Sequence, residues 1–161
     1  MRDKGCSLPL GRRDFLAGAG AASLIALLVG TPGAQAAESE RSAQFNAALS
    51  GMLAGATPRI GGIEMDIPAD IENGDYVPVA LAVDSPMTPE SHVKAIYLLS
   101  TLNPRAEVAA FRFTLLSGKA RVTSRMRLAK SQDVVAIAEL SDGAFLIGMR
   151  AVSVKVGGCG I

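Results

Sequence analysis

The stretch ARVTSRMRL, residues 120–128, decides the fold, because polar and apolar side chains alternate along it more cleanly than elsewhere in the chain. One face carries the apolar residues Val122, Met126 and Leu128. The other face carries Arg121, Thr123, Arg125 and Arg127. A period of two is typical of a β-strand with one buried face. The stretch therefore predicts a strand that covers a core on one side and meets solvent on the other.

Other segments repeat this signal. Residues 76–84 and 108–116 also alternate, and in the second Phe111, Phe113 and Leu115 share a face. Shorter apolar runs cover residues 60–67, 93–99, 134–140 and 144–156, with turn-forming pairs such as Asn73-Gly74 and Asn103-Pro104 between segments. About seven short strands with frequent turns favour an all-β fold, namely an immunoglobulin-like β-sandwich, with a small barrel as the alternative.

One segment ahead of the strands has a helical period instead. The apolar residues of positions 39–54 that recur at helical spacing are Phe45, Ala48, Leu49, Met52 and Leu53. A Gly/Thr/Pro cluster at positions 55–58 ends the run. We expect a single N-terminal helix that lies against a sheet or against a partner.

The first 36 residues predict an export signal rather than part of the fold. A basic region leads to Arg12-Arg13-Asp14-Phe15-Leu16, then to an apolar stretch of about 15 residues, and then to Ala34-Gln35-Ala36, which fits the A-x-A cleavage rule. Paired arginines ahead of Phe-Leu resemble the twin-arginine signal, which exports folded cargo, and a general secretory signal is the alternative. A membrane span needs about 20 apolar residues, so the stretch is too short to predict one. The predicted organisation is a signal at 1–36, a sandwich domain with its helix at 37–155, and a C-terminal arm at 156–161.

Charge and cysteine content narrow the function classes. Removal of the signal takes four of 16 Lys/Arg and two of 15 Asp/Glu, which leaves 12 bases, 13 acids and a net charge of −1. This balance argues against nucleic acid or an anionic membrane surface as the main partner. Cys6 leaves with the signal, so Cys159 is the single cysteine of the mature chain. An odd cysteine in an exported protein indicates a reactive thiol or an intermolecular disulfide.

No catalytic motif stands out along the mature chain. His92 is the only histidine and is interpreted as a surface or interface residue. Gly61-Gly62 is interpreted as a bulge or a close backbone contact. The scattered carboxylates Glu64, Asp66, Asp70, Glu72 and Asp75 are interpreted as a solvated acidic rim, with a cation site as the alternative. The arginine row of residues 121–127 is interpreted as an exposed strand face that could also attract an anionic partner. We expect no metal site and no catalytic residue.

The C-terminus carries the predicted working group. The chain ends Val156-Gly157-Gly158-Cys159-Gly160-Ile161, and glycines on both sides of a cysteine free the backbone and remove neighbouring side chains. Fully extended, six residues reach on the order of 20 Å at about 3.4 Å each. A thiol on such an arm can enter the pocket of another protein. Lys155 is the one basic residue close by in sequence, so we expect a partner enzyme to activate the thiol.

These residues resemble the SoxY family, the sulfur-carrier subunits of bacterial thiosulfate oxidation. The resemblance rests on the GGCG ending at 157–160 together with the twin-arginine signal. The further matching segments are IENG at 71–74, VP at 77–78, VDSPMT at 83–88, HVKAI at 92–96, NP at 103–104, SG at 117–118, ARV at 120–122 and residues 149–156. They cover essentially all of the mature chain.

The resemblance implies a covalent carrier rather than an enzyme. It implies an immunoglobulin-like fold, a heterodimer with a SoxZ-like β-sandwich subunit, and a periplasmic location. It also implies transient partners: a haem enzyme that joins thiosulfate to the thiol, a di-manganese hydrolase that releases sulfate, and a molybdenum and haem sulfane dehydrogenase. By this resemblance Cys159 attaches the sulfur, Gly157, Gly158 and Gly160 form the flexible arm, and the chain holds no cofactor of its own.

One residue departs from the family pattern. Family members usually end in two glycines after the cysteine, whereas Ile161 ends this chain. Its branched side chain adds bulk beside the thiol and either hinders entry to a tight pocket or docks the resting arm. The alternatives to a carrier are a periplasmic thiol oxidoreductase, which would lack a resolving cysteine, and a structural subunit with one permanent intermolecular disulfide.

Overall fold

The computed structural model describes residues 41–158, and about half of them lie in strands. One helix precedes nine strands in this part of the chain. The elements are α1 (Ala43–Leu53), β1 (Arg59–Ile60), β2 (Ile63–Asp66), β3 (Asp70–Asn73), β4 (Val77–Val83), β5 (Val93–Ser100), β6 (Glu107–Arg112), β7 (Ala120–Met126), β8 (Gln132–Leu140) and β9 (Phe145–Val156), with a 3₁₀ turn at Leu115–Ser117. The predictions of a mostly-β fold and of one preceding helix are confirmed.

The strands form two open sheets around a common core. The larger sheet has the order β1-β9-β8-β5-β6, with β3 also paired to β9, and the smaller sheet has the order β2-β4-β7. Apolar side chains of both sheets meet in one cluster, among them Leu81 of β4, Ile96 of β5 and Ala136 of β8. Two open sheets that share a core match the predicted sandwich better than the alternative, a closed barrel.

Strands β5 and β8 are buried on both faces, because α1 covers the outer face of the larger sheet. Along β8, Val134 and Ala136 point into the core between the sheets, whereas Val135 and Ile137 point to the helix. Phe45 of α1 is 1% exposed and packs in this second cluster. Burial on both faces explains why the sequences of β5 and β8 are apolar runs without alternation.

The start of α1 is fixed by local hydrogen bonds. The hydroxyl of Ser42 accepts a hydrogen bond from the backbone amide of Phe45 at 3.2 Å, which satisfies one of the free donors of the first turn. The amide of Ser42 donates to the carbonyl of Thr101 at 2.9 Å, and this bond ties the helix to the end of β5. The helix therefore lies against the sheet of its own chain, as one of the two sequence alternatives proposed.

The structure differs from the sequence predictions at three places. The predicted strand at 60–67 is split into β1 and β2 by Gly61 and Gly62, whose φ angles of 94° and 77° favour glycine. The predicted strand at 108–116 ends at Arg112, and Leu115 lies 42% exposed in the 3₁₀ turn that follows. Strand β3 was not predicted. These changes give nine strands where about seven were expected.

No helix among residues 41–158 is both long enough and apolar enough to span a lipid bilayer.

Candidate functional site: the base of the C-terminal arm

Strand β9 brings the C-terminus to the end of the fold. Its last residues pair in parallel with β3, with Ile71 opposite Val154 and Asn73 opposite Val156. The backbone amide of Gly74 then donates to the carbonyl of Val156 at 2.8 Å. Val156 is thus the last strand residue, as the apolar run predicted at 144–156 indicated. The predicted arm at 156–161 began at the same residue, and the pairing partner β3 was not predicted from the sequence.

Beyond β9, one backbone hydrogen bond holds Gly158, and a second holds Leu128, the residue that accepts the first bond. The amide of Gly158 donates to the carbonyl of Leu128 at 2.9 Å, and the amide of Leu128 donates to the carbonyl of Gly74 at 2.8 Å. Gly74, Leu128 and Gly158 are all buried. We refer to Gly74, Leu128, Ala129, Gly157 and Gly158 together as the arm base.

The glycines of the arm base are required for space. A Cβ atom on Gly158 would lie 2.7 Å from the carbonyl oxygen of Gly74, and one on Gly74 would lie 2.8 Å from the amide nitrogen of Gly158. A Cβ on Gly157 would overlap the carbonyl oxygen of Ala129. The sequence interpretation gave Gly157 and Gly158 a different reason, namely backbone freedom. The structure adds a steric reason at both positions, because Gly157 is exposed but lies close to Ala129, whereas Gly158 is buried and hydrogen-bonded to Leu128. The chain is therefore held as far as Gly158.

Two side-chain amides hold the loop that supports Gly158. The Asn103 Oδ1 atom accepts hydrogen bonds from the Ala129 backbone amide at 2.9 Å and from Gln132 Nε2 at 2.7 Å, while Asn103 Nδ2 donates to the Arg127 carbonyl at 2.8 Å. Gln132 is 7% exposed. Its Oε1 atom accepts from the Leu102 amide at 2.7 Å, and its Nε2 atom also donates to the Lys130 carbonyl at 3.1 Å.

Sequence reasoning missed this amide pair. Asn103 was recognised as part of the turn signal Asn103-Pro104 and of a segment that matches the family, but not for its side-chain contacts, and Gln132 was not singled out. An asparagine before a proline predicts a turn, but it does not reveal which distant backbone groups the side chain reaches. Gln132 is buried and Asn103 is half-buried, and amides with most of their donors and acceptors satisfied specify one arrangement of the backbone around them.

The charged neighbours of the arm base form an exposed ion pair. Lys155 Nζ lies 2.6 Å from Glu72 Oε1, and both side chains are mostly exposed. Lys155 is the basic residue that the sequence placed nearest to Cys159. Because its charge is paired with Glu72, it is less available to stabilise a thiolate, although solvent and salt weaken such a surface pair.

The other residues that the sequence analysis considered have local structural roles. The His92 Nδ1 atom lies 3.0 Å from the Thr88 carbonyl oxygen, and the His92 backbone amide donates to the Ser141 hydroxyl at 3.1 Å. His92 therefore fastens the turn ahead of β5. In the arginine row, the Arg125 guanidinium lies 4.4 Å from the centre of the Tyr76 ring. Arg121 pairs with Glu64 at 3.5 Å.

Within residues 41–158, the carboxylates, with the lone histidine, form no cluster of three or more potential metal ligands. Cys159, Gly160 and Ile161, together with the export residues Arg12 and Arg13, lie outside the described residues. Their roles stay predictions from the sequence.

Cys159, the residue that follows the arm base, lies within the match to a known protein family. The family model described as sulfur oxidation protein SoxY matches residues 50–159, which is more than half of the chain and includes Cys159. The chain belongs to the SoxY family. The resemblance drawn from the sequence is thereby confirmed. None of the curated proteins compared with the chain matches it.

Solved structures show that the SoxY fold is shared more widely. The sulfur carrier protein SoxY from Chlorobium limicola f thiosulfatophilum is 22% identical, with a TM-score of 0.61 over 74% of this chain and 98% of that chain. A superoxide reductase (neelaredoxin) from Ignicoccus hospitalis is 16% identical, with a TM-score of 0.53 over 65% of this chain and 88% of that chain. At these identities the likeness concerns the fold alone.

Proposed function

We propose that this chain is a covalent carrier of sulfur intermediates in thiosulfate oxidation and that the thiol of Cys159 is the attachment point. The observation that carries the proposal is the SoxY family match, which extends through the cysteine itself. The packed arm base supports it, because this base ends one residue before the cysteine. A carrier needs a thiol at the surface of a stable domain. In this chain the residue that precedes the cysteine, Gly158, is hydrogen-bonded to that domain.

The chemistry proposed for Cys159 consists of two steps performed by partner enzymes. In the first step a haem enzyme joins the thiol to the sulfane sulfur of thiosulfate. The new S–S bond forms as the thiol proton is released and two electrons pass to the haem enzyme. In the second step a di-manganese hydrolase directs water onto the sulfone sulfur, which breaks the bond to the sulfane sulfur. Sulfate leaves and a persulfide remains on the cysteine.

The proposal includes location and partners. After twin-arginine export the chain is periplasmic, forms an immunoglobulin-like sandwich and pairs with a SoxZ-like subunit. A molybdenum and haem sulfane dehydrogenase is the partner that oxidises the remaining sulfane sulfur. In this scheme the chain is a substrate of these enzymes, contributes no catalytic residue and holds no cofactor.

Substitution of the attachment residue tests the carrier role. We expect Cys159→Ser to abolish thiosulfate-dependent sulfate formation by the reconstituted enzymes, because a hydroxyl cannot hold a persulfide. Gly51→Ala is the control, since a methyl group added there meets nothing within 4 Å, and it should leave sulfate formation unchanged. Normal sulfate formation by Cys159→Ser would refute the proposal. If non-reducing electrophoresis showed Cys159 in one permanent disulfide, the structural-subunit alternative would replace it.

A further inference from the structure

The amide pair Asn103–Gln132 lies next to the arm base, whose own side chains are apolar and offer no hydrogen-bonding group. Asn103 instead contacts backbone groups on both sides of Leu128, namely the Arg127 carbonyl and the Ala129 amide. Leu128 is the residue whose carbonyl oxygen accepts the hydrogen bond from Gly158. The hydrogen bonds of the Asn103 side chain thus fix the position of the Leu128 carbonyl oxygen. Gln132 in turn fixes the position of the Asn103 side chain.

Backbone hydrogen bonds continue this fixation to the last described residue. The carbonyl of Gly74 accepts from Leu128, and the carbonyl of Leu128 accepts from Gly158. A residue bonded to Gly158 has its Cα about 3.8 Å away. The Cα of Cys159 therefore lies close to the arm base, whatever the direction of the cysteine side chain.

We propose that Asn103, supported by Gln132, is a positioning residue for the cysteine. By fixing residues 127–129 it holds Gly158 in place and sets the point at which the thiol-bearing end leaves the domain. With Gly158 fixed, the Cα of Cys159 lies about 3.8 Å from a fixed residue, whereas an arm that starts at Val156 would allow it to move on the order of 10 Å from that start. A partner enzyme must therefore approach the arm base closely to receive the thiol. The consequence for sulfur transfer rests on the proposed function, whereas the positioning of Gly158 does not.

Hydrogen exchange tests the positioning in a chain with Cys6→Ser, where Cys159 is the only thiol. In Asn103→Ala we expect the Gly158 amide to exchange about tenfold faster, which corresponds to the loss of one hydrogen bond. A nitroxide attached to Cys159 should become more mobile in the same variant. Central amides of β5 and β8 report global stability and separate a local release from general unfolding.

Ser141→Ala is the matched control. Ser141 also pins a loop through its side chain, by accepting from the His92 amide, but at the opposite end of β5 and β8. We expect this control to leave both the Gly158 amide and the label unchanged. If Asn103→Ala does not fold, Asn103→Asp replaces it, because aspartate keeps the acceptor for the Ala129 amide but places a carboxylate oxygen against the Arg127 carbonyl. Faster exchange of the Gly158 amide is again expected.

Unchanged exchange at Gly158 and an unchanged label in a folded Asn103 variant would overturn the positioning role. Sulfur loading of Cys159 by the partner enzymes supplies the functional readout, and we expect a raised KM of the carrier with a smaller change in kcat. If the unsubstituted chain took up no sulfur at all, the carrier function would fail, and hydrogen exchange and label mobility would still decide the positioning role.

Discussion

At the residue scale, the backbones of Gly74 and Gly158 lie so close together that neither residue has room for a side chain. We predict that Gly158→Ala lowers the free energy of unfolding by about 1–3 kcal/mol, because its methyl group would force the arm base apart. Gly51→Ala is the matched control. Gly51 lies in α1, and a methyl group added there would have nothing within 4 Å, so alanine should be neutral or stabilise by up to about 1 kcal/mol. Urea unfolding of both variants measures the difference, and equal stabilities would contradict the packed arm base.

Tyr97 of β5 is a residue whose pKa the fold raises. Burial raises the pKa of Tyr97 above its ordinary value of about 10, and the Glu139 carboxylate raises this pKa further by accepting the hydroxyl hydrogen bond at 3.1 Å and by repelling the phenolate. Arg112 acts in the opposite direction. The folded chain therefore holds this proton more tightly than the unfolded chain.

The stabilisation from Tyr97 should be complete below about pH 10 and should be lost as the pH rises through the pKa of the folded state. We predict a fall in the free energy of unfolding above pH 10 that is smaller in Tyr97→Phe. Leu116→Ala, which changes an exposed side chain that carries no proton to titrate, should keep the full decrease. Denaturant unfolding at several pH values measures it, and identical pH profiles of Tyr97→Phe and the unsubstituted chain would refute the prediction.

At the scale of elements, α1 is attached to the sheet by an apolar face in which Phe45 is the fully buried side chain. Phe45 is buried against Leu99, Val135 and Ile137. We predict that Phe45→Ala lowers the free energy of unfolding by about 3–5 kcal/mol, because it leaves a cavity between the helix and the sheet. Leu116→Ala removes a side chain that is 98% exposed and should change stability by less than about 0.5 kcal/mol. A similar loss in both variants, measured by thermal unfolding, would show that α1 does not contribute through this contact.

An element can be predicted when the surroundings of its two faces impose a pattern on its own sequence. Strand β7 was predicted because its two faces meet different surroundings, which requires alternation. Strand β3 was not predicted, because Asp70, Glu72 and Asn73 are polar and only Ile71 is buried. Its structure depends on the distant edge of β9, which offers backbone partners. Local patterns contain no information about such a partner.

The candidate site divides in the same way. Cys159 and its glycines stood out because a cysteine between glycines is a local pattern. The roles of Asn103 and Gln132 depend on contacts 24 to 30 residues apart in the chain, such as that between Asn103 and Arg127 or between Leu102 and Gln132. The contacts of Gly74 with Leu128 and Gly158 span still longer separations. The sequence therefore predicted the reactive group, whereas only the structure revealed what holds the chain beside it.

At the scale of the whole molecule, the two sheets and the helix form a stable support whose C-terminal strand ends beside the cysteine. Nothing in residues 41–158 groups three or more potential metal ligands, and the one histidine fastens a turn. Membership of the SoxY family and the held glycines agree with a domain that presents a thiol to other proteins. The account therefore depends on one central claim, that sulfur is carried on Cys159.

Intact-protein mass spectrometry of the chain purified from cells oxidising thiosulfate tests this claim most directly, before and after a mild reductant. The account predicts sulfur-containing adducts that map to Cys159 and disappear on reduction. A thiol that stays unmodified during thiosulfate oxidation, or a single permanent disulfide to another chain, would contradict it.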